Sequence, residues 1–324
     1  MKILLTGANG FVGSHVLDEL RARGLPTAIL LRPSSNRRFI GAHLDWAEVR
    51  TGSVCDPASL RQATAGITHI IHCAGRTRAA RAREFYEVNH AGTRNLIEAV
   101  NAQGQIRRLL HISSLAASGP AGPAHPARES DRPRPVSHYG KSKLAGELEV
   151  LDRCRPEFVI LRPAAVYGPR DVEFLRLFKA VKAHLRPRPG RQALSLVFVP
   201  DLARAIVSCL DHPAAARKTY FAACPEIVTS RAMAREVAAQ MGGWAIPLPL
   251  PAPALWAWCL GQEILSRLTG RARMLSLGKF AELRAPGWVC DPGLLARETG
   301  CACPTTLGPG IRRTLECYRE QGWI

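Results

Sequence analysis

Short apolar runs alternate with helical patterns through the first half of the chain. Lys2–Thr6, Thr27–Leu31, Ala47–Arg50, His69–Cys73, Arg108–Ser113 and Phe158–Leu161 read as strands. Phe11–Arg23, stopped by Gly24, and Ala58–Thr64, Glu84–Ala102 and Ser137–Asp152 read as the helices between them. A strand–helix alternation of this kind predicts parallel strands covered on both faces. The expected fold is α/β: a Rossmann-type doubly wound parallel sheet with a smaller C-terminal substrate-binding lobe.

The second half is less regular. Val197–Leu210 reads as a short strand and helix, and Pro247–Pro253, with four prolines, must be extended or turning. Ala121–Pro135 is Pro-rich but lies between two core elements, so a shaped loop is expected. The expected division is a dinucleotide-binding domain over 1–165 and a mainly substrate-binding lobe over 166–324, with about 195–212 returning to the first domain.

Composition narrows the class. Hydrophobic residues make up 47% and charged residues 22%, the balance of a soluble globular protein. Met1–Leu5 runs directly into a glycine motif and no apolar run is long enough for a membrane span, so a cytoplasmic protein is expected. Ten cysteines form no metal or disulfide framework and read as reduced thiols, and no metal is expected. The net charge of +18 comes without basic blocks or a nucleic-acid motif, which argues against a nucleic-acid partner.

Thr6-Gly7-Ala8-Asn9-Gly10-Phe11-Val12-Gly13 follows the first strand and opens the first helix. Glycines there permit a tight turn and let backbone approach a pyrophosphate at a helix N-terminus. The second strand ends in Leu31-Arg32-Pro33-Ser34-Ser35-Asn36-Arg37-Arg38, with no carboxylate for the ribose hydroxyl of NAD. Arg32, with Ser34 or Ser35, suits the extra phosphate of NADP, so NADP is expected, with NAD the alternative.

The serine strand ends in Ile112-Ser113-Ser114, and Tyr139-Gly140-Lys141-Ser142-Lys143 opens a helix further on. Residues four apart share a helix face, so a phenol and an ammonium can meet in one pocket. The cation favours the phenolate, and a tyrosine tuned this way exchanges a proton with an alcohol or carbonyl beside a nicotinamide.

These pieces, with His72-Cys73-Ala74-Gly75, Val88-Asn89-His90-Ala91-Gly92-Thr93, Leu161–Arg170 and Val199–Ala205, resemble the extended short-chain dehydrogenase/reductase superfamily, also called the NAD-dependent epimerase/dehydratase family. The resemblance runs from residue 1 to about 210. It implies Ser114, Tyr139 and Lys143 as the catalytic set and Asn89 as a structural asparagine beside them. The cofactor would then touch Gly7, Asn9, Gly10, Phe11, Val12, Gly13, Arg32, Ser34, Ser35, Ser53, Val54, Cys73, Ala74, Gly75, Asn89, Pro163 and Val166, besides Tyr139 and Lys143. Two departures stand out. Ala117-Ser118-Gly119 lacks the aromatic residue that often faces the sugar in epimerases, and Ser53 stands where relatives often carry an adenine-holding aspartate.

Ala254–Leu268 is rich in tryptophan, leucine and isoleucine and is followed by Arg271 and Arg273. Plain packing in the C-terminal lobe is the leading expectation, ahead of a lid over an apolar pocket and a helix resting on a membrane. Trp288–Asp291 and Tyr318–Trp323 resemble the tail of bacterial 3β-hydroxysteroid dehydrogenase-like members. The expected activity is hydride transfer at a secondary alcohol or ketone of a lipophilic, sterol-like small molecule, with decarboxylation open to a sterol acid. A nucleotide-sugar epimerase, dehydratase or reductase, using Arg186, Arg188 and Arg191 for the diphosphate, is the alternative. A homodimer and peripheral membrane contact are further expectations.

Overall fold

The computed structural model describes residues 1–188, 192–242, 244–249, 251–270, 272–273 and 276–324; of residues 186–188, 247 and 249 it describes only the backbone. The chain opens with β1 (Ile3–Thr6), α1 (Phe11–Ala22), β2 (Thr27–Leu31), β3 (Glu48–Thr51), α2 (Pro57–Ala63) and β4 (His69–His72). The predicted helix over 84–102 is three pieces: α3 (Arg83–Tyr86), a π turn (Glu87–Ala91) and α4 (Gly92–Asn101). Then come β5 (Arg108–Ile112), the short α5 (Leu115–Ser118), α6 (His138–Arg153) and β6 (Glu157–Pro163).

The remaining elements are β7 (Ala165–Tyr167), α7 (Leu175–Lys182), β8 (Leu185–Arg188), β9 (Ala193–Phe198), α8 (Val199–Ser208), β10 (Lys218–Ala222), β11 (Ile227–Thr229), α9 (Ser230–Gln240) and β12 (Ile246–Pro249). The chain closes with α10 (Ala252–Thr269), α11 (Leu277–Arg284), β13 (Gly287–Trp288), α12 (Gly293–Thr299) and α13 (Leu307–Glu320). Pro247–Pro253 is extended only in its first half: Pro253 sits in the first turn of α10, where a missing N–H costs nothing.

Seven parallel strands form one sheet in the order β10-β6-β5-β4-β1-β2-β3. Alternate strand residues feed two cores. Ile3, Leu5, Ile29 and Leu110 pack under α1 and α8, whereas Leu4, Leu30, Ile70 and Leu109 pack under α2, α4 and α6. Helices therefore cover both faces, as a doubly wound sheet requires. The order reverses between β1 and β4, which opens a crevice at their carboxyl ends.

A second sheet, β11-β9-β13 with β7 beside β9, belongs to the other lobe. Phe178, Phe198, Ile311 and Tyr318 form its core, with Trp323 packed against it. The loop 121–135 is pinned to this lobe, since Ala121 and Ala127 donate to the carbonyls of Gly287 and Val289 at 3.1 and 2.9 Å. Asp201 lies inside the first turn of α8. Its buried carboxylate accepts from the Thr305 amide at 2.8 Å and pairs with Arg204, joining α8 to the C-terminal tail.

Candidate active site

Gly7 closes the turn after β1 with φ +72°, and a Cβ there would stand 2.6 Å from the Ala74 nitrogen. A Cβ on Gly13 would collide with the Gly7 carbonyl. The turn is tied by the Gly10 amide donating to the Gly7 carbonyl at 3.0 Å. No side chain caps α1, so its first amides remain as donors for an anion. This cradle fits a dinucleotide pyrophosphate, because the glycines let the backbone fold tightly enough to present those uncapped amides to an anion.

The turn borders a groove of about 410 Å³. Gly7, Asn9, Gly10, Arg32, Ser35, Ser53, Val54, Cys73, Ala74 and Gly75 line it, as do Arg76, Thr77 and Arg78, which the sequence reading missed. Those three directly follow Cys73–Gly75 at the carboxyl end of β4, a position that could have flagged them. Phe11, Val12, Gly13, Ser34, Asn89, Lys143, Pro163 and Val166 do not line the groove, and Tyr139 lines the adjoining cavity instead. The Ser35 hydroxyl accepts from the Arg32 amide at 3.1 Å, and the Ser53 hydroxyl from the Cys55 amide at 3.2 Å. Both serines therefore shape their own turns.

A directional hydrogen-bond chain fixes the crevice floor. The Ala74 amide donates to Thr6 Oγ1 at 3.2 Å, and Thr93 Oγ1 donates to the Asn89 carbonyl at 2.8 Å. Between these hydroxyls lies His72, 2.7 Å from Thr6 by Nδ1 and 3.1 Å from Thr93 by Nε2. Burial holds its pKa down to about 3, so the ring is neutral. Thr6 must then donate to Nδ1, and Nε2–H must donate to Thr93. His111, buried on β5 with its ring 5.3 Å from His72, has its own pKa driven well down by burial.

The π turn places Asn89. Its Oδ1 accepts from the Arg76 amide at 2.7 Å, and its Nδ2 donates to the Arg76 carbonyl at 3.0 Å and to Ser142 Oγ at 2.9 Å. Asn89 thus clamps the β4 loop to α6. The widened turn is what aims it inward, and such bulges gather at functional sites.

Ser114 follows β5 and starts α5, its hydroxyl accepting from the Ala116 amide at 3.1 Å. Gly140 lets α6 approach α5 so closely that a Cβ would strike the Ala116 carbonyl, and this brings Tyr139 to Ser114. Burial raises the pKa of the phenol. The facing Ser114 hydroxyl works the other way and Glu282 adds to the rise. One turn on, Lys143 is buried and donates to the Ile112 carbonyl at 2.6 Å. Desolvation lowers its pKa to about 8 against the raising effect of Glu147. Glu147 is itself held in a buried fork by Arg162, at 3.0 and 2.7 Å.

Tyr139 also lines a second cavity of about 450 Å³, which meets the groove at Thr77 and Arg78. Its far wall is α10 and α11, through Glu263, Ser266, Arg267, Lys279 and Glu282. His138 is on the wall as well, its ring against Tyr86. Plain packing of α10 is not what is found. Leu255 and Cys259 are buried, but Trp256, Trp258, Ile264, Leu265 and Leu268 are exposed, because the helix forms the far wall of the cavity and only one of its faces meets protein. Arg191 and Arg271, and the side chains of Arg186 and Arg188, lie outside the described residues. Among the described residues no helix is long and apolar enough to cross a membrane.

The chain is 29% identical to a ceramide reductase of Caulobacter vibrioides over 99% of its length and 96% of that protein. It is 29% identical to a UDP-glucose 4-epimerase of Vibrio cholerae, covering 98% and 95%. The crystal structure of the Thermus thermophilus UDP-glucose 4-epimerase in complex with NAD superposes with a TM-score of 0.76 at 25% identity, covering 98% of this chain and 99% of that one. The family model of the NAD dependent epimerase/dehydratase family matches residues 3–223. The chain belongs to this family and is an enzyme of the extended short-chain dehydrogenase/reductase type.

Proposed function

We propose that the enzyme transfers hydride between a nicotinamide and a secondary alcohol or ketone of a lipophilic substrate, with Ser114, Tyr139 and Lys143 carrying the chemistry. The observation behind the substrate class is the cavity at Tyr139, to whose lining Ala79, Ala80, Ala82 and Phe85 add apolar surface. The near full-length similarity to a ceramide reductase supports it. A sterol or hydroxysteroid falls within the same class.

A nicotinamide bound in the groove supplies or accepts the hydride. In the reducing direction the buried phenol of Tyr139 stays protonated and gives its proton to the carbonyl oxygen. Ser114 Oγ donates to the same oxygen and holds it. Lys143, kept charged by Glu147 below about pH 8, offsets the phenolate left behind. Arg32, exposed at the groove with no carboxylate near it in sequence, favours NADP.

A nucleotide-sugar substrate is the second reading. The cavity wall holds Arg78, Arg81, Arg267, Arg273 and Lys279 against Glu173, Glu263 and Glu282, an excess of cations that suits a diphosphate. Near-ultraviolet absorbance of NADP and NAD with sterols, hydroxysteroids and long-chain keto and hydroxy lipids decides between the two. A lipid-dependent signal that Tyr139→Phe lowers by about 10²–10⁴ is expected. Silence with every lipid, together with tight calorimetric binding of a UDP-sugar, overturns the lipophilic reading.

A further inference from the structure

We propose that α10 docks this enzyme on an anionic bilayer surface, so that lipid passes from the membrane into the Tyr139 cavity. The proposal deepens the lipophilic-substrate reading and rests on it only for the identity of the cargo. The docking itself is read from a different face of the molecule.

The exposed residues of α10 include Trp256, Trp258, Ile264, Leu265 and Leu268, and among all of them only Arg267 is charged. Leu268 is 80% exposed. An exposed helix face this apolar is normally covered. In the segment just before it, Trp244, Ile246 and Leu248 are exposed too. Three tryptophans are exposed among the described residues, and all of them lie within 244–258. Tryptophan is the side chain best suited to the headgroup level, with an apolar body and a polar N–H.

Charge selects the occupant. From 174 to 200 the sequence holds six cations, Arg176 to Arg191, and no carboxylate. Within that stretch β8 pairs in parallel with β12, bringing basic backbone positions beside the apolar strand that leads into α10. Lys179 and Lys182 are exposed on the helix before it. At the other end of α10, Arg267 and Lys279 are exposed, while their partners Glu263 and Glu282 are mostly buried. An apolar stripe flanked at both ends by cations matches the boundary of an anionic bilayer, and an 18-residue helix with this pattern lies in the interface plane. The inner face of the same helix, through Glu263 and Ser266, lines the cavity that holds Tyr139. One helix therefore separates the docking face from the reacting group.

Flotation of the full-length chain with vesicles tests this. Binding to mixed phosphatidylcholine–phosphatidylglycerol vesicles is expected at low salt, about tenfold weaker to phosphatidylcholine alone and weaker again as salt rises. The tryptophan emission of the unmodified chain shifts to the blue on those vesicles and is quenched by lipids brominated on their acyl chains. The triple variant Trp258→Gln, Ile264→Gln, Leu268→Gln loses about tenfold or more in vesicle affinity, with its unfolding midpoint and NADP affinity unchanged. The proposal is overturned by a chain that does not float, by a triple variant that floats as well as the original, or by emission that brominated lipid leaves unquenched. A dimer that the triple variant splits, with no flotation, assigns the face to a second copy and overturns it too. None of these measurements involves turnover, so a failure of the hydride-transfer reading is seen separately in the absorbance assay.

Discussion

Lys143 Nζ donates to the Ile112 carbonyl at 2.6 Å, which ties α6 to the strand end that delivers Ser114. The bond orients a cation that burial works against. Desolvation brings its pKa to about 8, whereas an unfolded lysine titrates near 10.4.

That difference has a sign. Between about pH 8 and 10.4 the unfolded chain binds more protons than the folded one, so stability rises with pH across that window. Below about 8 the cost of the buried charge is fully present. Lys143→Met is therefore expected to be inactive yet more stable than the original at pH 7, by at most about 3 kcal/mol, with the advantage shrinking toward pH 10. Urea unfolding at both pH values checks this. A variant equally destabilised at the two would show that the ammonium is not penalised by burial.

Gly7 and Gly24 both have positive φ, +72° and +62°, but only Gly7 has neighbours where a Cβ would go. Gly24→Ala should cost about 1–2 kcal/mol from backbone strain alone. Gly7→Ala adds a clash with Ala74 and should cost more, with a loss of cofactor affinity that Gly24→Ala does not share. Equal unfolding curves and equal cofactor titrations for the two variants would remove the argument from close approach.

Arg32 sets the third expectation. Arg32→Glu places a carboxylate where a ribose hydroxyl would sit and repels a 2′-phosphate. The ratio of NADP to NAD affinity should fall by about tenfold or more. An unchanged ratio in fluorescence titration would return Arg32 to a solvated surface side chain.

The sheet was legible because its strands are short apolar runs between helical patterns, and β2, β4 and β5 start where those runs start. Helix 84–102 was legible only as a helix. Side-chain periodicity does not report a change of hydrogen-bond register, so the π turn that aims Asn89 was invisible. The Tyr139–Lys143 spacing announced a shared face, but the close approach at Gly140 that brings Tyr139 to Ser114 is a tertiary fact. Apolar content in α10 predicted burial because composition cannot say which face meets protein. Arg76–Arg78 were overlooked for the opposite reason: charged loop residues read as solvated until the crevice forms around them.

Arg162 and Glu147 carry the last prediction. The pair is buried and bidentate, one turn below Lys143. Removing one partner strands a charge, so Arg162→Met should cost about 3–5 kcal/mol. The double change Arg162→Met, Glu147→Gln should recover much of that loss, since a buried pair replaced by groups that leave no charge behind is often nearly neutral. Activity should not recover in the same way. Glu147 raises the pKa of Lys143, so its neutralisation moves the lysine further down. The alkaline limb of the reduction rate, expected near pH 8 in the original chain, then shifts to lower pH in the double variant. A restored melting midpoint with an acid-shifted limb separates an electrostatic role from a structural one. A restored midpoint with an unmoved limb would show that Glu147 only fastens α6 to β6.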